Sequence, residues 1–161
     1  GALVGLLAWL TPGLVGGGDA ITHSPLSGTQ VVTTVFFVFV VRFGLGPVSY
    51  AAGTPGGLFA PMLVLGAQLG FMMATLYNSI LVAGRLDPTA MAIVCMAAFF
   101  TAVVRAPITG IVLAVEMTAG FALVLPMLAA CFTAMLVPTL MAEPPIYDSL
   151  GAPYRKSGEE I

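Results

Sequence analysis

Positions 43 to 84 form a run of 42 residues without an Asp, Glu, Lys or Arg. Two further runs follow: 17 residues at 88–104 and 26 at 117–142. A helix that crosses the hydrocarbon core of a bilayer needs about 20 consecutive apolar residues, so these windows can supply several spans, not all of full length. Soluble domains carry about 25% charged residues, whereas this chain carries 7%. That deficit excludes an ordinary water-soluble enzyme and a disordered segment. The net charge of −2 leaves no basic footprint for a phosphate backbone, so nucleic acid is not an expected partner. The expected partner is a lipid bilayer, and the chain reads as an all-α polytopic integral membrane protein.

Residues 1–12 read as the end of an apolar helix stopped by Thr11-Pro12-Gly13. With no Met and no basic segment ahead of it, the chain is expected to be a piece of a longer protein, entered inside a helix. Gly16-Gly17-Gly18-Asp19 reads as a turn and Thr22 to Gln30 as a loop. Val31 to about Phe43 is expected to be helical, because open sheet edges are not tolerated in lipid; Gly44, Gly46 and Pro47 are expected to loosen it. After the break Gly53-Thr54-Pro55-Gly56-Gly57, a helix is predicted from Met62 to about Ile80, with Gly66 and Gly70 forming a small-residue face for close packing. Asp87 is a predicted helix cap with Pro88 in the first helical position, and that helix is expected to reach Val104. Arg105-Ala106-Pro107 forces a restart. Ile108 to Thr118, roughly 16 Å long at ~1.5 Å per residue, is too short to span alone. Ala119-Gly120 precedes a helix expected over Phe121 to Thr139, carrying Pro126 and Pro138. Glu143-Pro144-Pro145 ends it, a short turn is expected over Ile146 to Leu150, and Tyr154 to Ile161 is polar. The expected organisation is thus a membrane domain over 1–150 and a polar tail over 151–161. Short, tilted, Pro/Gly-broken helices are the pattern found where helix ends meet inside a membrane.

The segment Gly57-Leu58-Phe59-Ala60-Pro61 carries the chemistry. Glycines 56 and 57 permit backbone that side-chained residues adopt only at a cost, and Pro61 fits a first helical turn, where its missing N–H is not needed. A helix starting here leaves the N–H groups of Leu58, Phe59 and Ala60 without intrahelical partners. At membrane depth no bulk water satisfies them, and an anion is a natural partner, favoured also by the positive end of the helix dipole. With no Lys or Arg between Arg42 and Arg85, the anion would be held by partial charges alone, weakly enough to leave again. On these residues alone a plain Gly/Pro loop between two spans fits as well as an anion site.

Gly57-Leu58-Phe59-Ala60-Pro61, preceded by Pro55-Gly56, resembles the GxFxP motif of the CLC family of chloride channels and proton/chloride exchangers. Arg105-Ala106-Pro107-Ile108-Thr109-Gly110, Val115-Glu116-Met117-Thr118 and Pro145-Ile146-Tyr147 resemble further family segments in the same order. The similarity runs from Gly16 to Leu150. It implies the second half of a fold built from two inverted halves, with the missing N-terminal half as a partner, in the inner membrane of a prokaryote. It implies chloride as the ligand, bound centrally by the Leu58 and Phe59 amides and the Tyr147 hydroxyl, while the amides of Leu58, Phe59 and Ala60 also face an outer site; Gly57 is counted with these anion-binding residues. It further implies a homodimer with one pore per subunit, meeting through residues 108–139. The gating and proton-relay glutamates of the family belong to the absent first half. Small loops and a short tail favour an exchanger over a voltage-gated-type channel, and Tyr147 favours chloride over fluoride.

The other side chains read more plainly. On position alone Tyr147 would be an interfacial tyrosine, as are Tyr50 and Tyr77; the resemblance makes it an anion ligand. Glu116, close to a helix end, is expected to be hydrogen-bonded in a structural role, and Arg105 to cap the carbonyls before it. His23 is expected to be solvated or locally bonded. Cys95 and Cys131, inside apolar runs, read as small buried hydrophobes. No metal-spaced cluster and no nucleophile with an adjacent base is present, and no cofactor or enzymatic activity is expected. An unrelated secondary transporter half is the rival reading, but it has no reason to carry all three matched segments.

Overall fold

The computed structural model describes residues 5, 9–10, 32–51, 57–81 and 85–149. Of the expected helix end at 1–12, positions 5, 9 and 10 are described and helical. The turn at 16–19, the loop at 22–30 with His23, the breaks at 53–56 and 84, the Tyr50 side chain, Leu150 and the tail at 151–161 lie outside the described residues.

Five α-helices follow one another: α1 (Val32–Ala51), α2 (Phe59–Ile80), α3 (Pro88–Val104), α4 (Pro107–Thr118) and α5 (Val124–Leu140). A 3₁₀ turn, Phe121–Leu123, precedes α5, and a last helical turn covers 146–149. Three segments are long and apolar enough to cross a membrane: 32–49, 59–80 and 121–140. Helices α3 and α4, at 17 and 12 residues, fall short of the roughly 30 Å hydrocarbon thickness at ~1.5 Å per residue. Of the α2 span 56% is buried, against 11% of the α1 and α5 spans, so α2 is the inner helix.

Helix α1 departs from expectation. It runs 20 residues, straight through Gly44, Gly46 and Pro47. Glycine and proline are strong breakers in water, where released backbone groups find solvent. In an apolar surrounding a break would strand those groups, so the helix continues and forgoes only the Pro47 donor. The start of α2 also lies three residues before the expected Met62, with Pro61 inside its first turn.

Helix α3 is the hub, packing most extensively on α2, then on α5 and α4. Its start is as expected: the Asp87 carboxylate accepts from the Thr89 N–H at 2.9 Å, with Pro88 in the first position. The loop from α2 is clasped by Asn78, whose side chain donates to the Leu86 carbonyl at 2.8 Å and accepts from the Leu86 N–H at 2.9 Å. Gly66 and Gly70 let α2 and α3 touch backbone to backbone. A Cβ on Gly66 would lie 2.7 Å from the Cys95 carbonyl oxygen, and one on Gly70 would strike the Met91 carbonyl oxygen and lie 2.7 Å from the Cys95 Cβ. Gly110 brings α4 equally close: a Cβ there would sit 3.0 Å from the Ala97 oxygen. Around α3 the core gathers Leu63, Phe71, Met96, Phe100, Met127 and Cys131, all buried. Cys131 is a buried hydrophobe as expected, and Cys95 is half-buried at the α2 contact.

Gly70→Ala in the full-length protein should therefore lower stability by about 1–3 kcal/mol, the usual cost of overpacking. Thermal denaturation in detergent checks this, and a loss below about 0.5 kcal/mol would mean the two backbones do not meet there.

Candidate anion-binding site

Leu58 precedes α2 in a helical conformation (φ −77°, ψ −20°), and no side chain caps the helix start. The first bond across this start runs from the Met62 N–H to the Leu58 carbonyl, at 3.1 Å. The N–H groups of Leu58, Phe59 and Ala60 thus precede the helical ladder, and Pro61 occupies the one remaining early position with no donor at all. Three donors converge on the positive end of a 22-residue helix, which carries roughly half an elementary charge. Beside Gly57 there is open space, with nothing within 4 Å of a Cβ placed there.

The start is anchored by an aromatic pair. The Phe59 ring, 37% exposed, meets the buried Phe100 ring of α3 edge to face, with centroids 5.1 Å apart at 71°. A cavity of about 310 Å³ lies alongside, walled by Arg42 and Pro47 of α1, Leu58 and Pro61 of α2, Val103 of α3 and Ile146. Helix α4 also begins without a side-chain cap, but its Ile108 is 70% exposed, whereas Leu58 and Pro61 line this interior space.

The expectation that no cation approaches the helix start holds along the sequence and not in space. Arg42 lies just outside the charge-free run, yet it is buried in the wall that it shares with Leu58 and Pro61. No local sequence signal marks this approach, which comes from the packing of α1 on α2. Ile146 brings the last helical turn to the same cavity. Tyr147, next in sequence, is 51% exposed and does not line the cavity. The turn is tied at its base, where the Asp148 and Ser149 N–H groups both donate to the Pro145 carbonyl at 3.1 Å.

Two further expectations change. Arg105 does not cap preceding carbonyls with its side chain. Its own backbone N–H closes α3 by donating to the Thr101 carbonyl at 2.8 Å, while its guanidinium crosses to the end of α5, donating to the Thr139 hydroxyl at 3.2 Å and to the Glu143 carbonyl. Glu116 is exposed and makes no hydrogen bond among the described residues. The helix end beside it is closed instead by Thr118, whose hydroxyl donates to the Ala114 carbonyl at 2.6 Å and accepts from the Gly120 N–H at 3.3 Å. Tyr77 is exposed near the end of α2, as an interfacial tyrosine would be.

Three segments long and apolar enough to cross a membrane, with an uncapped helix start beside a half-open cavity, mark the described residues as part of an integral membrane protein. The chain belongs to the CLC family: the family model described as voltage gated chloride channel matches residues 1–139. It is 37% identical over 150 residues to the H(+)/Cl(-) exchange transporter ClcA of Vibrio parahaemolyticus, and 38% identical over 150 residues to that of Klebsiella pneumoniae. Each alignment covers 93% of this chain and 32% of the relative, so the chain spans about a third of the length of these curated relatives. Among solved structures it resembles a slow cyanobacterial Cl-/H+ antiporter, with a TM-score of 0.77 and 35% identity over 85% of this chain and 32% of that one.

The Phe59–Phe100 pair should contribute about 0.5–1.5 kcal/mol beyond the area it buries. A double-mutant cycle on thermal stability with Phe59→Leu and Phe100→Leu should return a coupling in that range; a coupling near zero would show that the α2 start is not held to α3 by these rings.

Proposed function

We propose that the whole protein moves chloride across a prokaryotic inner membrane as a proton/chloride exchanger, a transporter rather than an enzyme. The observation that carries this reading is the trio of N–H groups at Leu58, Phe59 and Ala60, outside the α2 ladder and beside a half-open cavity. The relatives named as H(+)/Cl(-) exchange transporters supply the proton coupling in the proposal.

In this reading Gly57 leaves the approach open, the amides of Leu58, Phe59 and Ala60 donate to the anion, and the Tyr147 hydroxyl adds one neutral donor. Hydrogen bonds to a charged group contribute about 1.5–3 kcal/mol each, enough to hold a chloride ion and weak enough to release it. Arg42, behind the helix start, adds a positive field without being a direct ligand. The missing N-terminal half supplies the opposing ligands and the carboxylates for proton transfer. A second copy docks on residues 108–139, a reading supported by the exposed Ile108, Val112, Leu125, Phe132 and Leu136.

Full-length protein in liposomes should drive protons uphill when given a chloride gradient. Chloride flux without proton movement would make it a channel of the same family, and no anion flux would overturn the reading. Phe59→Pro removes one amide and also pushes Leu58 out of its helical conformation, so it should abolish calorimetric chloride binding. Phe59→Ala, which keeps all three N–H groups, should bind nearly as the parent does. Equal affinities for these two variants would remove the amide cluster as the site. Tyr147→Phe removes one hydrogen bond to the anion, about 1.5–3 kcal/mol, and should weaken binding by roughly ten- to 150-fold.

A further inference from the structure

Arg105 sits where its residue type is not favoured. Its φ is 64°, the left-handed conformation in which helix ends ordinarily place Gly, because a Cβ there crowds the adjoining carbonyl. From that position the guanidinium reaches across to the reversal that follows α5. One Nη donates to the Thr139 hydroxyl at 3.2 Å and the other to the Glu143 carbonyl. Among the described residues the buried Nε has no partner, and these two contacts are the hydrogen bonds that hold the side chain. Their acceptors bracket a tight turn, in which Ala142 is also left-handed at φ 55° and the Glu143 N–H donates to the Pro138 carbonyl at 3.1 Å. Glu143 leads through Pro144 and Pro145 directly into the helical turn that carries Tyr147. Two consecutive prolines fix φ and make a stiff connection, so a displacement of the Glu143 carbonyl is transmitted to the tyrosine.

We infer that Arg105 is a positioning residue, whose guanidinium fork fixes the Glu143–Pro145 segment and so sets where the Tyr147 hydroxyl is presented to the anion. This rests on the reading of Tyr147 as an anion ligand. The two parts of the site are then set by different elements at one end of the α2–α3 pair: the amides by the start of α2, the hydroxyl by the α3–α4 junction acting through the end of α5. A planar fork that spans two acceptors suits Arg and not Lys, whose ammonium is a point donor.

The test is a chloride titration of the full-length protein and of Arg105→Gly, Tyr147→Phe and the double variant. Glycine suits a φ of 64°, so Arg105→Gly removes the fork and keeps the helix end. Arg105→Asn, which also tolerates this backbone, gives the same readout if glycine loosens the chain. Arg105→Gly should weaken chloride binding measurably but by no more than Tyr147→Phe does, within the roughly 150-fold bound of one hydrogen bond to an anion. It should have no further effect when Tyr147 is already Phe. A lowered melting temperature with unchanged chloride affinity would make Arg105 merely structural and overturn the inference. So would an effect that persists in the Tyr147→Phe protein, which would mark a direct action of the positive charge. If Tyr147→Phe weakens binding and Arg105→Gly does not, the positioning role alone fails. If Tyr147→Phe leaves affinity unchanged while Phe59→Pro reduces it, the ligand reading of Tyr147 fails and takes the positioning role with it.

Discussion

Two glycines one turn apart set the separation of α2 and α3, and the other helices are arranged on that pair. In lipid there is no hydrophobic drive to bring helices together, so association depends on close packing and on polar contacts. Gly66 and Gly70 provide the close approach, with the backbone of α3 standing where any larger side chain would be. Helix α3 then receives α4 through Gly110 and α5 through the buried Met127 and Cys131. The consequence for the site is direct. With α3 held against α2, Phe100 lies under Phe59, and the first turn of α2 is seated on the core while its first three N–H groups precede the helical ladder.

Among the described residues that start contrasts with the start of α3 and with the helix C-termini, while α4 also begins without a side-chain cap. The start of α3 is capped by Asp87. The ends of α3 and α4 close through left-handed residues, Arg105 and Ala119, whose N–H groups bond back to Thr101 and Val115. Thr118 adds a side-chain bridge across the α4 break. At α2 no side chain caps the start, a proline removes the fourth donor, and the remaining three are aligned with the dipole. A helix end built this way is incomplete without a ligand or a neighbour that accepts hydrogen bonds.

The same rule about backbone groups in apolar surroundings explains where the helices run on. Gly44, Gly46 and Pro47 do not interrupt α1, because the alternative to an imperfect helix is a set of unsatisfied carbonyl and amide groups. At the Ala119-Gly120 break the freed groups find local partners, the Ala119 N–H on the Val115 carbonyl and the Gly120 N–H on the Thr118 hydroxyl.

Much of this was legible in the sequence. The charge-free runs marked a membrane protein, the Asp87-Pro88 and Ala119-Gly120 signals placed helix boundaries within a few residues, and Gly57 to Pro61 marked an open helix start, since capping and proline geometry are local. The Gly66/Gly70 spacing likewise announced a packing face, though not which helix it meets. Tertiary structure alone decided three things. It carried α1 through its proline, because the medium and not the local sequence sets the cost of a break. It placed Arg42 in the wall beside Leu58 across a charge-free stretch, because the packing of α1 on α2 joins residues far apart in sequence. It sent the Arg105 side chain 34 and 38 residues onward to Thr139 and Glu143 rather than to its own helix end, because a long side chain on a left-handed residue bonds to whatever acceptors the packing of α3 and α5 brings within reach.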